Sequence, residues 1–339
     1  MSCSARATRA VSLRNLAALG LAACLGLLAS AASRAADDGQ CALKRVAQLE
    51  AKVAKDRLLI KAQVDGQDLW LDISTASPIS MLTSRTADRL KLKLRDITGA
   101  TVISGNGRQV EHFTRANKLT LAGMTADNVD FLVLPSAPPT ADDNPDEGAG
   151  GGLGADFLSG FDLDLNLPKG TVTLFSKDHC PGHVVYWTQD YAAIPFKLDT
   201  NDHIWFSANL DGHEFRTLFD TASEYSVLSA AAAHSAFDID PARDGAAPAG
   251  FNDKGTLTET PYYLHPFATL DIGGVAFHNP DLIIIRDRMK QKARDLVGVL
   301  NTGGIAETQM TLGLRQLTRL HIYVAYGEKM LYVSAPDTK

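Results

Sequence analysis

The chain has 339 residues, of which 45% are hydrophobic and 21% charged, an ordinary globular balance with enough apolar material for sizeable cores. Its formal net charge of −6 argues against nucleic acid or an anionic membrane surface as the main partner. Nine histidines follow no metal-ligand rhythm, so neither a metal nor a cofactor is expected.

Residues 1–35 read as a signal peptide. Arg6, Arg9 and Arg14 precede the apolar run 16–32, and Ser33 and Ala35 place small residues before a cleavage site. This predicts export, to the periplasm or out of the cell. A competing reading is a lipoprotein box, Leu21-Ala22-Ala23-Cys24, which would leave Cys24 lipidated. The apolar run continues well past Cys24, which weighs against it. No later stretch has the length and apolarity of a membrane span. Removal of the leader leaves two cysteines, Cys41 and Cys180, most simply a disulfide in an oxidising compartment.

In the lead-in 36–56, Leu43, Val46, Leu49 and Val53 sit near three-to-four spacing and predict a short helix over 37–55. Strands follow. Segments 58–64 and 69–73 flank Asp65-Gly66, a strong hairpin signal. A short helix is expected over 83–92, then strands over 100–104, 109–121 and 129–134, with Gly105-Asn106-Gly107 as a turn or a flap tip. Residues 135–151 are acidic and rich in proline and glycine, a surface loop without the spacing of a dinucleotide site. Strands 161–167 and 171–175 close this half. Residues 176–193 form a linker, where His179 and His183 flank Cys180 and read as surface histidines beside a disulfide.

A second half, 194–339, repeats the first, 57–175. Residues 57–82 align without a gap on 203–228, with identities at Ala62/Ala208, Asp65/Asp211, Gly66/Gly212, Thr75/Thr221, Ala76/Ala222, Ser77/Ser223, Ser80/Ser226 and Leu82/Leu228. Leu153-Gly154 before the closing hairpin returns as Leu312-Gly313. Two copies of so long a unit mean two homologous lobes. The number of short, turn-separated strands makes the fold mainly β.

Each lobe opens with a hairpin into an Asp-Thr-Gly-like corner, Ser74-Thr75-Ala76-Ser77 and Asp220-Thr221-Ala222-Ser223, and closes with an apolar-apolar-Gly step. The chain resembles the bilobal aspartic peptidases of pepsin and retropepsin type, especially the bacterial retropepsin-like branch. The resemblance implies two β-rich lobes, a cleft between them, a polypeptide substrate, and one aspartate from each corner. Two adjacent carboxyls share a proton, so one activates water while the other protonates the scissile carbonyl. It assigns Asp220 to the catalytic role and Thr75 and Thr221 to bracing the corners, with Ala76, Ala222, Ser77 and Ser223 completing them.

At the first catalytic position the chain has Ser74. Asp72, two residues away on the same strand face, is one candidate for the missing carboxyl, and Asp220 of a second copy in a homodimer is another. Two functional expectations follow. One is an exported aspartic endopeptidase working through a water activated at Asp220. The alternative is an inactive relative that binds a peptide or protein in the cleft.

Overall fold

The two hairpins that open the lobes are built by the same local chemistry. Asp65-Gly66 joins strands Arg57–Val64 and Gln67–Ile73, and Asp211-Gly212 joins Ile204–Leu210 and His213–Phe219. All four turn residues take positive φ, 48° and 80° in one turn, 47° and 86° in the other, which suits the twist of a two-residue hairpin. The Asp65 carboxylate accepts from the Lys118 N–H, and that of Asp211 from Ala268 and Thr269. Each turn therefore anchors a later strand of its own lobe.

The computed structural model describes residues 41–54, 57–99, 102–103, 109–136, 149–252, 260–285 and 308–336. The leader 1–35 with Cys24, and the turn at Gly105-Asn106-Gly107, lie outside the described residues. Past each corner runs a short strand, Met81–Thr83 or Val227–Ser229, and then a helix, Ser84–Arg89 or Ala230–Phe237. Thr83 and Ser229 cap these helices by accepting from the N–H of Thr86 and Ala232. The closing segment of each lobe then threads between the hairpin and the post-corner strand. Gly151–Leu153 lies parallel to Gln67–Ile73 and antiparallel to Met81–Thr83. Met310–Leu312 stands in the same relation to His213–Phe219 and Val227–Ser229.

The lobes join through a shared run of strands in the order Ala192–Pro195, Met330–Ser334, His321–Ala325, Asp162–Asn166, Thr171–Phe175, Arg45–Ala54. At its centre the two closing hairpins meet antiparallel, from Leu163 opposite Val324 to Asn166 opposite His321. Buried apolar side chains of both halves join in one large cluster that includes Leu71, Leu82, Leu163, Phe219, Leu228 and Ile322, and a smaller one gathers Phe175, Val184, Tyr323, Ala325 and Tyr332. Among the described residues, no helix is long and apolar enough to cross a membrane.

Two expectations need correction. Residues 45–54 form a strand, not a helix, pairing with Thr171–Phe175 on one side and Arg57–Val64 on the other. Ala47, Leu49 and Ala51 are buried in alternation, while Val46 and Val53 of the supposed helical face are exposed. The period is two, and the small alanines masked it. Secondly, His179 is no surface residue. Its side chain is 1% exposed, with Nε2 at 2.5 Å from the Asp162 carboxylate and Nδ1 at 3.4 Å from Glu328. Its neighbour His183 is exposed.

Cys41 and Cys180 form a disulfide that closes a span of 139 residues and fastens the lead-in to the linker beyond the first lobe. Such a cross-link typically stabilises by about 2–4 kcal/mol, largely by restricting the unfolded chain. Replacing both cysteines by serine is expected to lower stability by about that amount in urea denaturation, with the far-ultraviolet circular dichroism of the folded protein unchanged.

Candidate functional site

The two corners are locked to each other by an exchange of hydrogen bonds between halves. Thr75 Oγ1 donates to the Phe219 carbonyl at 2.9 Å, and Thr221 Oγ1 donates to the Ile73 carbonyl at 2.5 Å. The backbone N–H of each threonine donates to the other's Oγ1, both at 3.2 Å. Both threonines are fully buried. Each hydroxyl thus accepts once and donates once, so this dry junction contains no wasted polar group. Serine would supply the hydroxyl without the methyl that fills the space around it.

A second lock sits behind each corner. Ser80 Oγ donates to Asp156 and accepts from the Gly154 N–H, at 2.7 and 3.0 Å. Ser226 Oγ donates to Gln316 and accepts from the Gly313 N–H, at 2.7 and 2.9 Å. Both glycines are required by space. A Cβ on Gly154 would stand 2.7 Å from the Ile79 carbonyl carbon, and one on Gly313 would stand 2.3 Å from the Tyr225 carbonyl oxygen. By contrast, Ala76 and Ala222 adopt no positive φ, so the corners accept alanine without backbone strain.

On this symmetric frame the side chains differ. The backbone N–H of Ser74 bonds to the Leu153 carbonyl at 3.0 Å, and that of Asp220 to the Leu312 carbonyl at 3.1 Å. They therefore occupy equivalent places. Asp220 is half-buried, accepting from the Ala222 N–H at 2.8 Å and from the Ser223 hydroxyl at 2.6 Å. Burial raises its pKa, against the pull of these two bonds and of the nearby His203 and Arg57. Ser74 is buried and brings no carboxylate, and Ser77, the counterpart of Ser223, turns its hydroxyl to the Ile79 carbonyl at 3.0 Å.

Asp72 lies on the first hairpin, 3% exposed. One of its oxygens accepts from Arg57 at 2.9 Å; the other is buried without a hydrogen-bond partner among the described residues. Burial pushes its pKa up to about 7, Arg57 opposes the rise, and the negative charge of Asp220 adds to it. Asp72 is therefore in electrostatic reach of Asp220, yet it is engaged from within its own lobe.

Arg57 and His203 are the site residues that sequence reading passed over. They align in the repeat, one basic residue on another, and that was the available signal. Asp156 and Gln316 escaped for a different reason: they serve equivalent serines from positions one residue apart relative to the closing glycines.

The interlocked corners, the threaded closing strands and the shared central sheet are the features on which the chain resembles aspartic peptidases. The sequence profile of a family described as aspartyl protease matches residues 60–157. Solved structures with similarity include the basic 7S globulin of soybean, at 12% identity over 86% of this chain and 95% of that one, with a TM-score of 0.47. Conglutin gamma, a basic 7S globulin from lupine seeds, is 10% identical over 86% and 95%, with a TM-score of 0.47. The aspartic proteinase of Irpex lacteus is 12% identical over 86% and 97%, with a TM-score of 0.49. No curated protein sequence matches the chain.

Two outcomes follow from this geometry. Thr221→Val leaves the Ile73 carbonyl and the Thr75 N–H buried and unpaired, and chemical denaturation should show a loss of about 2–5 kcal/mol. Thr221→Ser, which keeps the hydroxyl, should recover most of it. For Asp72, the unfolded chain releases its proton near 3.8 while the folded protein holds it to about 7. The folded state then binds more protons across that window, so this group makes stability fall as pH rises through it. Asp72→Asn should flatten that part of the stability–pH curve and leave the protein relatively more stable at neutral pH than at pH about 4.

Proposed function

We propose that the protein binds an extended polypeptide between its lobes, with the Asp220 carboxylate as the central hydrogen-bond acceptor, and does not hydrolyse it through an aspartate pair. The observation that carries this reading is Ser74 at the backbone position equivalent to Asp220. Paired-carboxyl hydrolysis needs one group to take a proton from water and another to give one to the carbonyl oxygen. A buried serine hydroxyl does not surrender a proton at the pH where a carboxyl does. The corner around Asp220 is nonetheless complete, with both oxygens held by Ala222 and Ser223, and it points to a retained interaction with a ligand.

Completion of the pair by a second copy is disfavoured. The Asp220 corner already exchanges hydrogen bonds with the Thr75 corner of its own chain, and a partner would have to break them.

One observation favours hydrolysis as a second reading. Asp72 is a carboxyl that changes protonation near neutrality and feels the charge of Asp220. Its Arg57 bond and its burial count against contact with substrate. The Cys41–Cys180 disulfide supports export to an oxidising compartment, periplasmic or extracellular, as the leader suggests.

The test is to incubate a fluorescently labelled, denatured and reduced protein with the wild type, Asp220→Asn, Asp72→Asn and Ser74→Asp from mildly acid to neutral pH. Anisotropy reports binding and gel electrophoresis reports cleavage. The wild type should bind without cutting, Asp220→Asn should bind roughly tenfold more weakly, and Ser74→Asp should gain cleavage at acid pH. Wild-type cleavage lost in both asparagine variants would overturn the binding reading and establish the second one.

A further inference from the structure

The linker between the lobes is fastened to both of them, and one fastening has a charge at its centre. Near its start the Ser176 N–H bonds to the Lys44 carbonyl, Lys44 pairs with Asp178 at 2.5 Å, and Cys180 is joined to Cys41. Further along, Tyr186 donates to Asp164, and Trp187 stacks on His321 at 3.8 Å and donates to Ser334 at 2.8 Å. The linker thus lies across the place where the two closing hairpins meet. There His179 turns its side chain inward, between a carboxylate from each lobe.

The ring is surrounded by more acceptors than a neutral imidazole can serve. Nε2 lies 2.5 Å from Asp162 Oδ2, and Nδ1 lies 3.3 Å from the Cys180 carbonyl and 3.4 Å from Glu328 Oε1. A neutral ring has one N–H, so one nitrogen would aim a lone pair at oxygen lone pairs. Asp162 also accepts from the Tyr326 N–H at 2.8 Å, and Glu328 Oε2 accepts from the Gly182 N–H at 3.0 Å and the Tyr332 hydroxyl at 2.5 Å. Glu328 Oε1 is buried and makes no hydrogen bond among the described residues, so the charge of His179 is its compensation. Tyr323 stands edge-on to the ring, with centroids 6.4 Å apart, and burial keeps its phenol protonated. Asp178 points out to Lys44.

Burial disfavours the charged ring, but Asp162, the Cys180 carbonyl and Glu328 outweigh it and raise its pKa above the ordinary 6.5. Burial raises Asp162 too, against the pull of His179, so the pair as a unit resists losing its proton. His179 therefore adds stability that is complete below pH 6.5 and is lost as pH rises through its higher folded midpoint.

We propose that the linker is a pH-released strap: protonated His179 ties it to Asp162 of the first lobe and Glu328 of the second, and loss of the Nδ1 proton frees the Glu328 end. At release the Nδ1–H bond breaks and the proton passes to solvent, while Nε2 keeps its hydrogen on Asp162. The Nδ1 lone pair then faces two electron-rich oxygens, and Glu328 turns towards water, giving up the Gly182 N–H. The disulfide holds Cys180 in place, so only the segment beyond it lifts. The pairing of Leu163–Asn166 with His321–Val324 does not involve the ring and persists. The strap sets how firmly the Glu328 turn is held to the first lobe, without parting the lobes.

The test uses the folded, oxidised protein and needs no ligand. Nitrogen-15 NMR should find both His179 ring nitrogens protonated at about pH 6, with a midpoint above 6.5. Hydrogen exchange at the Gly182 amide, corrected for its intrinsic pH dependence, should lose about tenfold or more of its protection between about pH 6 and 9. The amides of Asp162–Asn166 should keep theirs. His179→Gln, whose amide does not titrate, should abolish the pH dependence at Gly182, and Glu328→Gln should lower the His179 midpoint. Should His179→Gln fail to fold, the wild-type titration and Glu328→Gln decide. A wild-type midpoint at or below 6.5, Gly182 protection that is flat with pH, or an unmoved midpoint in Glu328→Gln overturns the strap. So does loosening that survives in folded His179→Gln, which would place the titrating group elsewhere, as at the buried His321–Asp164 pair.

Discussion

Everything at the centre of this protein hangs on two threonine hydroxyls that each reach into the opposite lobe. The bonds of Thr75 and Thr221 are made to backbone groups at the ends of the two opening hairpins. They therefore set the separation and orientation of those hairpins directly, without any flexible side chain intervening. The junction is dry, so breaking one bond strands its partner where water cannot reach. That cost makes the position of Asp220 relative to Ser74 and Asp72 a property of the backbone.

Such a frame tolerates divergence in whatever it does not use. The locks at Ser80 and Ser226 persist in both halves while their partners have drifted, Asp156 in one and Gln316 in the other. At the corners the difference is chemical: Ser74 stands where the other half has Asp220, Asp72 is paired with Arg57, and His203 stands in the other lobe where that arginine would be. The result is a symmetric scaffold carrying an asymmetric set of charges. Asymmetry of this kind suits a ligand with a direction, as a polypeptide has.

Much of the fold was legible because repetition supplied an internal standard. Asp65-Gly66 and Asp211-Gly212 marked the hairpins, and identical residues at Thr75/Thr221 and Ser80/Ser226 marked the pieces that pack identically. Legibility failed where the standard was missing. The strand Arg45–Ala54 buries two alanines and one leucine, and so weak an alternation lost to a chance helical spacing of larger residues. His179 was misplaced because its burial depends on Asp162 and Glu328, one from each lobe, a coincidence that no local pattern announces. The basic pair Arg57/His203 was visible in the alignment. Its meaning needed the structure, which gives Arg57 the carboxylate of Asp72 and His203 that of Asp199.

The shared central sheet has a consequence for how the molecule is made. Its strands Asp162–Asn166 and His321–Ala325 are neighbours in space, yet Asn166 and His321 are 155 positions apart in the chain. A chain that emerges amino-terminus first carries a bare strand edge along Asp162–Asn166 until His321–Ala325 arrives to cover it. Such an edge is a template for wrong pairing between molecules. Pairing with His321–Ala325, itself backed by Met330–Ser334, is the step that removes this template.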